Sequence, residues 1–318
     1  MILIKENDVK NILTMEDTIK AVEDAHRAFG EGNAVTSPRK NLWLRPPVSI
    51  KTASAALMSW GLMGVNTYPG GYGKRGSMPM TTLLYDSNDG RLVSIIESKF
   101  ISWYRTGATS AVATKYLASK KADSVGIFGT GRQAQTQLLA LQKVLKLSCV
   151  KAYSPTKEHR EKFATDMSRQ IGIDVRPVED PQSCLTDVDV VVTITTSKEP
   201  VFKGEMLNKG VHINAIGAHY PDSREVDTET VRRSKIFVDS RVQALEEKGE
   251  LLIPIQQGII SPNTIYAELG EVVAGKINGR VGEEENTLFC SGGLALESIA
   301  VAARVYEMAL KHGLGTEI

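Results

Sequence analysis

The stretch Ser124-Val125-Gly126-Ile127-Phe128-Gly129-Thr130-Gly131-Arg132-Gln133-Ala134 decides the fold. Its first five residues read as a short apolar strand, and Ala134, Leu138, Leu141 and Leu145 then line one side of a helix. Between them stands Gly-x-Gly-x-x-Ala. That spacing is weak alone, but it is a strong signal where it follows a strand and opens a helix inside a βαβ unit. Gly129 allows the tight turn, Gly131 lets the backbone approach a pyrophosphate, and Ala134 permits close packing of helix on strand. The helix N-terminus adds unsatisfied N–H groups and a partial positive charge. Thr130, Arg132 and Gln133 complete this predicted phosphate cradle.

Downstream the alternation continues. Val150–Tyr153 reads as a strand, Glu158–Ile171 as a helix, and Val188–Thr195 as a β-branched run suited to a buried parallel strand. Val211–Ile216 and Lys235–Val238 read as two more. The pattern predicts a parallel sheet with helices on both faces, an α/β Rossmann domain over 119–294. Thr195, Thr196 and Ser197 end a strand on the side where ligands bind; threonine is also simply a good strand former.

Upstream the pattern is mixed. Thr14 and Asp17 cap a helix whose inner stripe is Met15, Ile19, Val22, His26 and Phe29, and Gly30 and Gly32 stop it. His26 on that stripe is assigned to packing. Short strands follow to about residue 100, with Asn88-Asp89-Gly90 turning a hairpin between Thr81–Tyr85 and Leu92–Ile96. A small-residue helix over 101–118 carries Arg105 near its start, and a last helix from Leu294 to Lys311 returns to the first domain. The predicted domains are therefore 1–118 with 295–318, an α/β substrate-binding and dimerisation domain, and 119–294.

Composition narrows the partners. Across 318 residues, 38 Lys+Arg face 37 Asp+Glu, a formal net charge of +1, which excludes a broad electrostatic surface for nucleic acid or membrane. Hydrophobic content of 42% with 24% charged residues is that of an ordinary globular chain, and no apolar run approaches the roughly 20 residues of a membrane span. Cys149, Cys184 and Cys290 are odd in number and scattered, and Met1–Lys5 has no leader-like pattern, so a reducing, cytoplasmic setting is expected. The five histidines show no metal-ligand spacing, and no metal is expected.

The tip of the second Rossmann strand bears on the cofactor. NAD-specific sites place an acid there, about 20 residues past the glycines, to hold the ribose 2′-hydroxyl. This chain reads Tyr153-Ser154-Pro155-Thr156-Lys157-Glu158-His159-Arg160, with hydroxyls and cations at the tip. Ser154, Thr156, Lys157, Arg160 and Arg132 suit a 2′-phosphate, so NADP(H) is preferred over NAD(H). The alternative is that Lys157 and Arg160 only solubilise a helix start.

Further stretches carry a resemblance. Pro38-Arg39, Gly64-Val65-Asn66-x-x-Pro69-Gly70, Arg105-Thr106-x-Ala108, His212-Ile213-Asn214-Ala215-Ile216-Gly217 and Glu268-Leu269-Gly270-Glu271-Val272 stand beside the glycine loop. Together they resemble the ornithine cyclodeaminase/mu-crystallin family over nearly the whole chain. That family includes cyclodeaminases, alanine dehydrogenases, ketimine and pyrroline-carboxylate reductases, and a hormone-binding crystallin. The resemblance implies a homodimer with a small amino or imino acid as substrate. It implies that Arg39 and Arg105 grip the substrate carboxylate, where a guanidinium fork fixes the plane of its partner. It implies cofactor contacts from Arg105, Thr106, Gly217, Ser291 and Gly292. Lys51 falls near a family pocket position; for Lys51 and Arg45 a surface role stands equally.

Two departures shape the expected chemistry. The family's catalytic lysine is replaced by Met63, and the aspartate of the deaminating members by His219. A thioether cannot carry the proton that oxidative deamination moves. Thr81 substitutes for a family threonine expected near Met80, and Met63, Met58 and Trp60 either line an apolar pocket or pack the core. Reduction of a preformed imine needs less: a protonated imine already accepts hydride. The leading expectation is thus an NADPH-dependent reductase of a cyclic ketimine or 2-imino acid, or an amino-acid dehydrogenase, with His219 as proton donor or as a plain loop residue. The alternatives are a cyclodeaminase with internally recycled NAD and a non-catalytic binding protein like the crystallin.

Overall fold

A computed structural model describes residues 1–45, 48–70 and 79–318. The chain begins with β1 (Ile2–Ile4), α1 (Glu6–Ile12), α2 (Met15–Glu31), β2 (Ala34–Thr36), β3 (Lys40–Arg45) and β4 (Val48–Leu57). Next come β5 (Leu62–Gly70), β6 (Thr81–Asp86), β7 (Leu92–Glu97) and α3 (Lys99–Leu117). The alternating region holds β8 (Ser124–Phe128), α4 (Arg132–Leu141), β9 (Cys149–Tyr153), α5 (Lys157–Ile171), β10 (Val175–Pro177) and α6 (Pro181–Leu185). It continues with β11 (Val190–Thr193), β12 (His212–Ala215), α7 (Thr228–Arg232), β13 (Ser234–Val238), α8 (Arg241–Glu247) and α9 (Gly249–Gln256). Then follow β14 (Ile265–Glu268), α10 (Leu269–Val273), β15 (Asn286–Cys290), α11 (Ala295–His312) and β16 (Thr316–Glu317). Two compact units result: Met1–Arg105 with Gly293–Ile318, and Thr106–Gly292. The first boundary falls inside α3, between consecutive residues.

The first unit is a sheet in the order β16-β1-β7-β6-β5-β4-β2, with β3 also on β4. All its pairings are antiparallel except β1 with β7. The expected short strands are longer at the centre, where β4 and β5 pair without slip from Leu57↔Leu62 to Ser49↔Gly70. α2 starts as expected, Thr14 Oγ1 accepting from the Asp17 N–H at 3.1 Å. α11 packs on α2, β4, β5 and β6, and Ile299, Val305, Leu57 and Leu84 are all fully buried. Leu42, Leu44 and Ile50 stay exposed, Leu44 at 79%.

The second unit is an all-parallel sheet, β10-β9-β8-β11-β12-β15-β13-β14. Its core lies on both faces: Val190 and Val192 pack toward α4 and α5, while Val191 packs with Ile213 and Leu288. That explains the unbroken β-branched run. Strand order reverses between β8 and β11, the switch point where such sheets open a crevice for ligands. Cys149, Cys184 and Cys290 form no disulfide. Among the described residues no helix is long and apolar enough to cross a membrane.

One buried histidine makes stability depend on pH. His212 Nδ1 lies 2.9 Å from Thr287 Oγ1, whose own proton goes to the Leu117 carbonyl, so the ring donates from Nδ1 and stays neutral. Burial first, and then the charge of Arg280, press its pKa from 6.5 to about 3. An unfolded chain therefore binds a proton below pH 6.5 that the native chain refuses until about 3. Stability from this group is whole above that upper value and falls as the pH drops. Urea unfolding at pH 5 should show a loss of about 2 kcal/mol relative to neutral pH, and His212→Asn should remove that component. An unchanged pH dependence in the variant would contradict the assignment.

Candidate functional site

In the second unit the glycine loop sits at the switch point. Gly129 has φ of 107°, and a Cβ there would stand 2.4 Å from the Ile194 carbonyl, so no other residue fits between β8 and β11. Over Gly131, which caps α4, a Cβ would meet nothing within 4 Å, leaving the helix N-terminus open to a phosphate. Ala134 is fully buried on the opposite side, against the sheet. A cavity of about 770 Å³ opens here, lined by Gly129, Thr130, Gly131, Ser154 and Thr195–Ser197. The sequence-predicted residues thus converge, and the dimensions suit a dinucleotide. Gln137, buried in α4, donates to the Thr106 carbonyl at 3.3 Å, which ties Thr106 to the same helix.

The strand tip differs in detail from expectation. Arg160 does not face the cavity as a free cation: it is buried, and its Nη1 donates to the Ser154 carbonyl at 3.1 Å. It shapes the tip from beneath. Lys157 is exposed with Glu161 3.8 Å away, Arg132 and Thr156 are exposed, Gln133 is half-buried, and His159, not singled out by sequence, lines the cavity.

Beneath the loops after β11, β12 and β15 lies a buried charge network that sequence reasoning missed. Glu225 accepts from the Thr195 and Gly217 N–H groups at 2.5 and 2.6 Å and from Thr193 Oγ1 at 3.0 Å. Asp239 accepts from the Gly292 N–H and from the Ser291 hydroxyl, both at 2.9 Å. Lys248, fully buried, donates to the carbonyls of Ala218, Ser291 and Ala215 at 2.7, 3.1 and 3.4 Å, with Glu250 at 3.5 Å. Burial works against the ammonium, but Glu250, Glu225 and Asp239 outweigh it and raise its pKa. Burial likewise raises the pKa of Glu225, opposed in part by the Thr195 hydrogen bonds. Gly217, Ser291 and Gly292 are therefore held by their backbones. The Ser291 hydroxyl faces Asp239. His219 follows Ala218 on this pinned loop and is exposed.

In the first unit two of the predicted arginines meet. Arg39 donates from Nη2 to the Gly293 carbonyl at 3.3 Å. Gly293 has φ of 75°, and a Cβ on it would stand 2.0 Å from Arg105 Nη1, so both guanidinium groups gather at this glycine. Arg105 Nη1 also donates to Glu297 Oε2 at 3.0 Å, and Glu297 Oε1 lies 3.1 Å from His26 Nε2, both of those side chains being fully buried. His26 thus does more than pack. Lys51 shares its face of β4 with Ala55 and Leu57, the side α11 covers. Met63 does not join this group. Its neighbour Gly64 faces Ile299 of α11, so Met63 points to the other side of the sheet, onto an apolar cavity of about 600 Å³ with Val35, Ala56 and Tyr85. Met58 is exposed and Trp60 half-buried; Arg45 is exposed and Thr81 half-buried.

The one sequence clue to the hidden partners was Glu297, a lone acid in the apolar run Leu294-Ala295-Leu296-Glu297-Ser298-Ile299-Ala300. Such an acid is rarely buried without a cation.

Known proteins share this fold. Alanine dehydrogenase of Archaeoglobus fulgidus is 36% identical over 320 residues, covering 100% of this chain and 98% of that protein. Δ1-Pyrroline-2-carboxylate reductase of Bacillus cereus is 33% identical over 325 residues, covering 100% and 99%. The structure of Thermococcus litoralis Δ1-pyrroline-2-carboxylate reductase with NADH and L-proline superposes with a TM-score of 0.95 at 36% identity over the whole of both chains. The sequence model of the ornithine cyclodeaminase/mu-crystallin family matches residues 1–313, and the chain belongs to that family.

Proposed function

We propose that this chain is an NADPH-dependent reductase of a cyclic ketimine or 2-imino acid, of the pyrroline- or piperideine-2-carboxylate type. An amino-acid dehydrogenase acting reductively would use the same chemistry on an open-chain imine. At the coarser level it is an oxidoreductase of carbon–nitrogen bonds, as its relatives are named. In this reading 119–294 takes the dinucleotide, and 1–118 with 295–318 takes the substrate and dimerises through exposed apolar residues such as Leu42 and Leu44. The protein works in the cytoplasm.

The observation that carries the reading is the meeting of Arg39 and Arg105 at Gly293. Two guanidinium forks hold and orient a carboxylate; orientation alone supplies a large share of many barriers. When bound, a reduced nicotinamide supplies the hydride that adds to the carbon of a protonated imine, whose C=N π electrons move to nitrogen and give the amine. Arg39 and Arg105 fix which face of the imine is presented. Lys51 adds positive charge on the same side of the sheet. His219, exposed on the pinned loop, returns a proton from solvent to the imine nitrogen. A cyclodeaminase of the family pattern would carry an acid where His219 stands.

The acid-free tip at Ser154, with His159 beside it in the cavity and Lys157 exposed at the start of the next helix, supports NADP(H). NAD(H) is the second reading, because the Thermococcus relative holds NADH. Titration with each cofactor, and NADPH oxidation with Δ1-pyrroline-2-carboxylate, Δ1-piperideine-2-carboxylate, and pyruvate plus ammonia, test both points. NADPH should bind at least about tenfold more tightly, or ~1.4 kcal/mol, and one imine should turn over. Tighter NADH binding refutes the phosphate site. Binding without turnover points to a crystallin-like binding protein, and ammonia with proline from ornithine to a cyclodeaminase.

A further inference from the structure

We propose that His26 is a positioning residue for the substrate carboxylate, acting through Glu297 on Arg105. Three elements contribute to one buried carboxylate. Glu297, in the first turn of α11, is fully buried. Its Oε2 accepts from Arg105 Nη1 at 3.0 Å and from the Leu294 N–H at 3.3 Å. Its Oε1 faces His26 Nε2 of α2 at 3.1 Å. Because a carboxylate oxygen accepts, Nε2 carries the proton. Nδ1 has no hydrogen-bond partner among the described residues.

Packing alone does not account for this residue. The stripe it occupies is otherwise apolar, with Ile19, Val22 and Ala25 all buried, and a leucine would fill the volume. What the imidazole adds is a donor aimed at the oxygen opposite the one Arg105 takes. The two oxygens are thus divided between His26 and Arg105, which stops the carboxylate turning about its last bond. The plane of Glu297 in turn sets the plane of the Arg105 guanidinium, and that plane decides how well the fork meets a ligand carboxylate. Without the histidine, Oε1 loses the donor that opposes Arg105, and the carboxylate is freer to turn toward the arginine.

This inference rests on Arg105 being a carboxylate ligand, and the experiment separates the two. The full-length chain would be compared with His26→Leu, which keeps bulk and loses the donor, and His26→Gln, whose amide nitrogen reaches the Nε2 position. Calorimetric binding of pyrrole-2-carboxylate, a flat carboxylate that cannot be reduced, would be measured beside steady-state kinetics. His26→Leu should raise the imino-acid KM and the pyrrole-2-carboxylate Kd by about tenfold while kcat and the NADPH KM stay within twofold. His26→Gln should return both to near the starting values, and His26→Leu should add nothing to Glu297→Gln. Equal damage in both His26 variants, a loss shared by the NADPH KM, or unaltered carboxylate binding overturns the inference. If the wild type turns over no imine, the functional reading fails; the Kd series still decides the role of His26, and no binding by the wild type overturns that too.

Discussion

Arg105→Met is expected to lower kcat/KM for the imino acid about a thousandfold, or ~4 kcal/mol, with the NADPH Kd little changed. The substrate carboxylate would lose a charged fork, and Arg39 alone would hold it at Gly293. The variant also takes the Arg105 cation from Glu297, a fully buried anion. A lower melting temperature should therefore accompany the kinetic loss. Arg105→Lys separates the effects: it restores a charge for Glu297 but not the planar pair of donors, so melting should recover more than kcat/KM does. Steady-state kinetics and thermal melts of both variants make the comparison. A fall in kcat/KM of less than about fivefold in Arg105→Met would remove the arginine from the site.

Lys248→Met carries the largest expected stability effect. The ammonium has three protons and three backbone carbonyls to give them to, while Glu250, Glu225 and Asp239 supply opposing charge. Methionine fills the space but leaves those acids without their cation. Breaking a buried pair in this way costs about 3–5 kcal/mol, or on the order of 10 °C in melting temperature for a unit of this size. The loss should appear in the transition of the dinucleotide-binding unit, and cofactor binding should weaken because the Ala218 and Ser291 carbonyls are no longer held. Differential scanning calorimetry and NADPH titration test this. Melting within a degree or two of the wild type would show that the acids are neutral and the lysine unimportant.

The parts of the molecule legible in sequence share a property: their requirement is local. Gly129 must be glycine because of its own φ and its contact with Ile194, and a strand, a turn and a helix start announce it within a dozen residues. The β-branched run at Val190–Thr193 declares two buried faces in the same way. Arg39 and Arg105 were reached through resemblance, because no local pattern distinguishes them from surface arginines. His26, Glu297, Glu225, Asp239 and Lys248 escaped because their partners are remote. His26 and Glu297 stand 271 residues apart, and Arg105 and Glu297 192. Lys248 reads as one more charge in Glu246-Glu247-Lys248-Gly249-Glu250, although it is wholly enclosed. Arg160 misled in the opposite sense: placed where a phosphate ligand is expected, it is drawn inward by the Ser154 carbonyl.

The buried network of Glu225, Asp239 and Lys248 also bears on how readily such a protein can change its cofactor. The loops after β11, β12 and β15 are held from below, by side chains that never meet solvent. The positions proposed to distinguish one dinucleotide from another, Thr156 and Lys157, lie elsewhere, exposed at the β9 tip. Mutations there leave the foundation of the crevice untouched, so selection can alternate between phosphorylated and unphosphorylated cofactors without first buying stability. The scaffold is rigid where every dinucleotide needs it and permissive where dinucleotides differ.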